Sequence, residues 1–393
     1  MANSNWAKVY LNNDFVGYLE EQAGGRTCFT YDESFIQSSN NPVSVTLPLN
    51  INKHYSENGL HPFFDNLVAE GWLAQIQAKA LGIRENDRFK LLMAFGHDLI
   101  GAVTVVDPDP QYQIHLDKND YVKKIAVKSK ASMSGVQPKI LVTLGENGFV
   151  PVNLGETSTY IAKLKGKYPL ILENEYLCMK VAEILLKPDE VAETQLAKIE
   201  GIGDALLVKR FDRLENKAKV HFEEFASLLQ MKAIDKYDLN YKDLADYMNN
   251  SELCNKVDVE KLFRRVLACI LLGNTDAHLK NFAMLHNAAG LKLSPLYDMV
   301  FVRYYEELTP NLALGFNSKL DLPLGDIKAK HLKILCADFK LREAVLEQAV
   351  KDFSSRLDHI YDFIEASKKV NPLLRKAFRE HIKKRWNGIF KNI

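Results

Sequence analysis

Short apolar runs alternate with polar residues from Val9 to about Tyr31, interrupted at Asn12-Asn13-Asp14 and at Gly24-Gly25. That pattern predicts small antiparallel strands joined by tight turns. The period changes at Pro62. Phe63, Phe64, Leu67, Val68, Trp72, Ile76 and Leu81 follow helical spacing, so one amphipathic helix is expected from Pro62 to Gly82, opened by proline and closed by glycine. A second helix-like run starts at Asp87, and Gly101 to Val106 reads as a strand. Asp107-Pro108-Asp109-Pro110 then breaks both patterns, since proline offers no N–H to a helix or a ladder.

Beyond that break, Lys139 to Thr143, Tyr160 to Leu164 and Ala205 to Val208 look like strands, with Gly201 and Gly203 at a hairpin turn, while Asn174 to Leu186 is apolar on a helical period. From Phe222 the chain turns helical: Phe225, Leu228 and Leu229, then Leu244 and Met248, then Leu262, Val266 and Ile270, and a long helical stretch after Leu341. The expected divisions are an N-terminal subdomain (1–107), a linker (108–129), a β-rich lobe (130–212) and a helical lobe (213–393).

Composition narrows the function without naming it. With 393 residues, 47% apolar and 26% charged, the chain can fill two or three ordinary cores. Lys and Arg (51) balance Asp and Glu (50), which removes any bulk electrostatic reason to expect nucleic acid or an anionic membrane as direct partner. The five cysteines are scattered and form no zinc-ligand spacing. Residues Met1 to Tyr10 lack a secretory pattern, and apolar stretches such as Val266 to Leu272 fall far short of the ~20 residues a membrane span needs. A cytoplasmic address is therefore expected.

The chemistry concentrates between Asp276 and Asp298. A helix ending at Leu272 stops at Gly273, which tolerates the left-handed conformation of a helix cap. A polar loop follows, Asn274-Thr275-Asp276-Ala277-His278-Leu279-Lys280-Asn281, then a hairpin, then Pro295-Leu296-Tyr297-Asp298. Asp276 precedes Asn281 by five positions. Kinase-like enzymes use that spacing, with one carboxylate orienting the acceptor hydroxyl while an amide oxygen and a second carboxylate hold magnesium on the phosphates. Aspartate suffices as the orienting group, because phosphoryl transfer asks for positioning more than for early deprotonation. Asp276 and Asn281 by themselves also fit an Asx-capped polar turn, and His278 by itself an ordinary loop histidine; Asp298 in the right order favours the kinase reading. The expected fold class is α+β, a bilobal protein-kinase-like fold with a β-rich N-lobe and a helical C-lobe, preceded by a small α/β subdomain.

Upstream, Lys163 on the strand Tyr160 to Leu164 is placed to pin phosphates, with Glu175 as a candidate ion-pair partner and Glu173 nearly as well placed. Ser132-Met133-Ser134-Gly135-Val136-Gln137-Pro138-Lys139 stands where a phosphate-covering loop belongs, although its single glycine fits no Walker or GxGxxG pattern. Lys209-Arg210-Phe211-Asp212-Arg213, between the two lobes, reads as a hinge or as a charged linker.

These residues resemble the HipA-like serine/threonine kinase toxins of bacterial toxin–antitoxin modules. The likeness rests on Ser132-x-Ser134-Gly135-Val136-Gln137-x-Lys139, Asn274-Thr275-Asp276-x-His278-x-Lys280-Asn281-Phe282 and Ser294-Pro295-x-Tyr297-Asp298. Pro62-Phe63-Phe64-Asp65-Asn66-Leu67 and Asp98-x-Ile100-Gly101-Ala102-Val103 extend it toward the N-terminus. The resemblance implies autophosphorylation at Ser132 or Ser134, which silences the enzyme. It implies ATP contacts at Ser134, Gly135, Val136, Gln137, Pro138, Lys139, Lys163, Lys209, Arg210, Phe211, His278, Lys280, Asn281, Tyr297 and Asp298, with Asp212 facing the ribose. Asp276 would be catalytic, and Asn281 and Asp298 would hold Mg2+. An aminoacyl-tRNA synthetase is the implied protein substrate, and a helix-turn-helix antitoxin the implied partner, reaching operator DNA. His221-Phe222-Glu223-Glu224-Phe225 departs from the usual Gln-Glu-Asp-Phe, so no site role is carried to it. A small-molecule kinase and a non-catalytic corepressor that binds the antitoxin stay open as alternatives.

Overall fold

Asn12 and Asn13, both at positive φ (51° and 75°), reverse the chain between strands Trp6–Leu11 and Asp14–Glu21. Two left-handed residues give the turn whose twist matches paired antiparallel strands, and asparagine tolerates that geometry. Thr27–Tyr31 and Lys53–Ser56 extend the sheet on one side and Val103–Val106 on the other, all antiparallel. Ala7, Val9, Leu19, Phe29 and Tyr31 are buried in the core.

The computed structural model describes residues 5–39, 41–110, 112–116, 120–133, 135 and 137–393. They divide into two units: Met1–Leu164 with Ala197–Ile234, and Lys165–Leu196 with Asp235–Ile393. This division cuts across the expected one. A second five-stranded sheet runs in the order Gly148–Pro151, Lys139–Gly145, Tyr160–Leu164, Gly203–Lys209, Thr194–Ile199. Phe64, Phe95 and Val103 share one apolar cluster with Ile140, Val142, Ala205 and Leu207, so residues from both sheets bury a common core. The expected linker takes part too, as helix Tyr121–Lys128, whose N-cap Asp120 accepts from Lys123 N (3.0 Å) and which buries Ile125, Ala126 and Val127.

The expected helix from Pro62 to Gly82 is two helices, Pro62–Asn66 and Gly71–Leu81. Side chains break it. Asn66 Nδ2 donates to Pro62 O (2.9 Å) and to Met231 O (2.8 Å), while the Asp65 carboxylate takes Arg88 and the Ala233 N–H (2.9 Å). Those distant partners fix the first turn, and Gly71 at φ 56° starts the second helix in a new direction. Gly82 ends it at φ 68°, as its sequence position suggested.

In the second unit, Ile171–Leu186 packs on Lys256–Leu272 and Leu357–Ala366, so this helix joins the helical unit although strands flank it in sequence. Tyr241–Asn250 opens with a reciprocal cap between Asn240 and Asp243. The long stretch after Leu341 resolves into Glu343–Ser354, Leu357–Ala366 and Pro372–Gly388, the last with proline in its first turn and the Asn371 side chain as cap. Gly273, at φ 78°, ends Lys256–Leu272; a Cβ there would also meet His381 Nε2 at 2.6 Å. Among the described residues no helix is long and apolar enough to cross a membrane.

Candidate active site

Gly273 delivers the chain into a loop held by its own amides. Asn274 Oδ1 accepts from Asp276 N (3.1 Å) and its Nδ2 donates to Met299 Sδ (3.3 Å), tying the loop to the segment that returns after the hairpin. His278 N donates to Asn281 Oδ1 (3.0 Å), and His278 Nδ1 accepts from Lys280 N (3.2 Å). The hairpin Ala283–Asn287 and Gly290–Leu293, in register from Met284 with Leu293 to Asn287 with Gly290, brings the chain back. Asn281 Nδ2 then donates to Asp298 Oδ2 (2.8 Å), and Tyr297 OH donates to Lys280 O (2.8 Å). Asp298 itself is left-handed, at φ 59°, a conformation a non-glycine residue keeps only when its surroundings enforce it. Asp276, His278, Lys280, Asn281, Tyr297 and Asp298 are thus brought together as the spacing predicted.

Asp276 reaches the surface, yet protein crowds its carboxylate. That lost hydration pushes its pKa up, and the neighbouring Asp298 charge pushes the same way, against the Tyr237 hydrogen bond and the Lys236 charge. Tyr237 OH donates to Asp276 Oδ1 at 3.0 Å, and its ring packs edge-on against His278 at 5.1 Å. One carboxylate oxygen is therefore oriented by a phenol.

In the first unit, Lys139 and Lys163 stand directly opposite on antiparallel strands, each only 8% exposed. Opposed residues share a face, and like charges so placed repel unless negative charge is nearby. Gly135, at φ 106°, lets the Lys139 ammonium lie over its backbone; a Cβ there would collide with Lys139 Nζ. Gln137 Nε2 donates to Leu164 O (2.8 Å) and Pro138 O accepts from Leu164 N (2.8 Å), so both pin the loop to the strand that carries Lys163. Ser132 is 2% exposed and its Oγ has no hydrogen-bond partner among the described residues. Ser134 and Val136 lie outside the described residues.

At the expected hinge the charged side chains find partners within the protein. Arg210 and Asp212 are buried in an ion cluster with Asp98 and Arg213. Arg210 Nε and Nη2 grip the two Asp212 oxygens (2.9 and 2.7 Å), Arg213 Nη1 and Gly101 N add to Oδ2 (both 2.8 Å), and Asp98 Oδ1 accepts from Arg210 and Arg213 (3.1 and 2.7 Å). Both Asp212 oxygens and the Arg210 guanidinium are thus engaged inside the protein, with Oδ1 taking one hydrogen bond and Oδ2 three. Lys209 and Phe211 are half-buried, with Phe211 against the Phe222 ring at 5.2 Å. The atypical segment after them is anchored internally: Glu223 accepts from Ser44 Oγ (2.7 Å) and Ser227 Oγ (2.8 Å).

Of the two candidate helix acids, Glu173 accepts from Asn371 N at the start of the last long helix, whereas Glu175 is buried at 1% exposure. Sequence reasoning missed Tyr237, which sits in a stretch without periodicity. It also missed the task of Asn274, although a helix-terminating glycine followed by asparagine does signal a side chain turned back on the loop.

Residues 131–360 match the family described as the HipA-like C-terminal domain, and residues 7–106 match the HipA N-terminal domain. Y4dM of Sinorhizobium fredii, a kinase by name, is 29% identical over 392 residues, covering 94% of this chain and 93% of its own. The serine/threonine-protein kinase toxin HipA of Shewanella oneidensis is 26% identical over 348 residues, covering 80% of this chain and 79% of its own. A solved complex of Shewanella oneidensis HipA, HipB and operator DNA contains a chain that superposes with a TM-score of 0.81 at 20% identity, over 98% of both chains. The fold is shared.

Proposed function

The chain belongs to the HipA-like family, and from that premise we propose that it is a serine/threonine protein kinase that transfers the γ-phosphate of ATP to a protein hydroxyl with the help of Mg2+. The observation that carries this reading is the contact of Asn281 with Asp298 at 2.8 Å, with Asp276 five residues upstream on the same loop. The amide here turns its nitrogen to Asp298 and its oxygen to His278 N; rotated, it would offer an oxygen beside the carboxylate to one hard cation, and oxygen donors are what magnesium selects. Asp298 and Asn281 would hold that ion, which supplies charge neutralisation on the phosphates. Asp276, turned by Tyr237, orients the acceptor hydroxyl. Lys139 and Lys163 give the first unit a positive spot suited to phosphate, and His278 and Lys280 line the loop beside the metal pair.

We propose further, on the same footing, Ser132 or Ser134 as a site of inactivating self-phosphorylation, an aminoacyl-tRNA synthetase as protein substrate, and a helix-turn-helix antitoxin that reaches operator DNA as partner. Support comes from the HipA toxin relative and from the HipA–HipB–DNA complex that shares the fold. Because the Ser132 hydroxyl is buried, its modification requires the loop to leave its present position. Incubation of the full chain with Mg-ATP, followed by phosphosite mass spectrometry, is the test. Phosphate on Ser132 or Ser134 in wild type, absent in Asp276→Gln and Asp298→Asn, is expected. Nucleotide binding with no transfer to the chain or to any lysate protein would sink the kinase reading and favour a corepressor.

A further inference from the structure

Residues 297–301 carry no regular secondary structure, yet they hold Asp298 in a left-handed conformation. Something outside the segment must enforce it. Asn174, on the helix Ile171–Leu186 and 1% exposed, does so with a single side chain: its Oδ1 accepts from Phe301 N (2.9 Å) and its Nδ2 donates to Phe301 O (3.0 Å). The amide thus pairs with both backbone groups of one residue, as a neighbouring strand would. Nδ2 also reaches Tyr305 OH (3.4 Å). Further along the same helix, Met179 Sδ takes the Met299 N–H (3.4 Å). From the loop side, Asn274 holds the Met299 sulfur. The backbone directly after Asp298 is therefore gripped at residues 299 and 301 by one helix, and the φ of Asp298 has nowhere to relax.

We propose that Asn174 is a positioning residue: by clamping Phe301 it sets the backbone from which Asp298 presents its carboxylate to magnesium. The role rests on the kinase reading above. Asn174 acts through the backbone and has no contact with the reacting atoms. Its chemistry is specific, because a fixed planar amide offers one donor and one acceptor together, whereas aspartate lacks the donor and leucine both. Supporting groups of this kind typically change metal affinity by ~10–100-fold when removed.

The test is calorimetric binding of ADP to the full chain with and without Mg2+. In wild type Mg2+ tightens ADP binding; in Asn174→Ala about tenfold or more of that tightening is lost, while metal-free ADP affinity is unchanged. Leu177→Ala, which empties a site 1% exposed on the same helix, lowers the melting temperature but keeps the whole Mg2+ effect. Should Asn174→Ala not fold, Asn174→Ser, which keeps one hydroxyl toward Phe301, carries the same comparison. Retention of the full Mg2+ effect without the clamp, or an equal loss in Leu177→Ala, overturns the positioning role. A wild type whose ADP affinity ignores Mg2+ overturns the kinase reading, and the role with it.

Discussion

Asp98 and Asp212 in the first unit, and Asp276 and Asp298 in the second, are pairs of aspartates set among basic and polar residues, yet their oxygens are used differently. Burial alone would raise the pKa of Asp98, but Arg210 and Arg213, with the Ser158 hydroxyl, outweigh it and bring it down to about 2. Asp212 is lowered by the same two arginines against its own burial. Asp276 moves the other way, because its crowding is answered by one phenol and one lysine and is reinforced by a second aspartate. A carboxylate whose every oxygen is paired inside the protein is architecture. One left short of partners beside another acid fits the role proposed above for Asp276.

The comparison can be broken most directly at Asp276. Asp276→Asn should cut phosphoryl transfer by ~10²–10⁴-fold, as expected for a positioned acid–base group, without lowering the melting temperature; a radiolabelled autophosphorylation time course beside a thermal scan checks both. The architectural pair should show the reverse. Asp98→Ala leaves two buried guanidinium groups short of a partner and should cost about 3–5 kcal/mol of stability, read from urea unfolding.

A pH series sharpens the contrast. Asp98 is depressed when folded, so its contribution is present above the ordinary carboxylate range near ~3.9 and is lost as pH falls toward about 2. Asp98→Asn should flatten the fall in urea midpoint between pH 5 and pH 3. At Asp276 the sign reverses: a raised pKa favours the protonated fold, so Asp276→Asn should steepen that fall. Tyr237→Phe is the smallest step. Losing one hydrogen bond of about 1 kcal/mol should slow transfer roughly fivefold with nucleotide affinity unchanged, and an unchanged rate would show that Asp276 is oriented without its phenol.

What the sequence made legible follows from how locally each feature is determined. Gly82 and Gly273 are helix ends because a left-handed φ is a property of one residue. The Asp276 to Asn281 spacing and the hairpin to Asp298 are likewise local, and so is the resulting loop. The break between Pro62–Asn66 and Gly71–Leu81 was hidden, because Met231 O and the Ala233 N–H that enforce it lie more than 160 positions away. The ion cluster around Arg210 and Asp212 was hidden for the same reason: their charges are visible in sequence, but Asp98, 112 positions from Arg210, is not visibly their neighbour. The compact units cut across the expected divisions because a shared core is assembled from segments that no window spans together.

The ion cluster also ties together the two segments that match separate domain families. The segments that match the two HipA domains, 7–106 and 131–360, are separable in sequence at the proline-rich break, but Asp98 lies in one and Arg210 and Arg213 in the other. Parting the chain at that break would separate the aspartate from its two arginines, stranding buried charge on both sides. At this joint neither matched segment is electrically complete by itself.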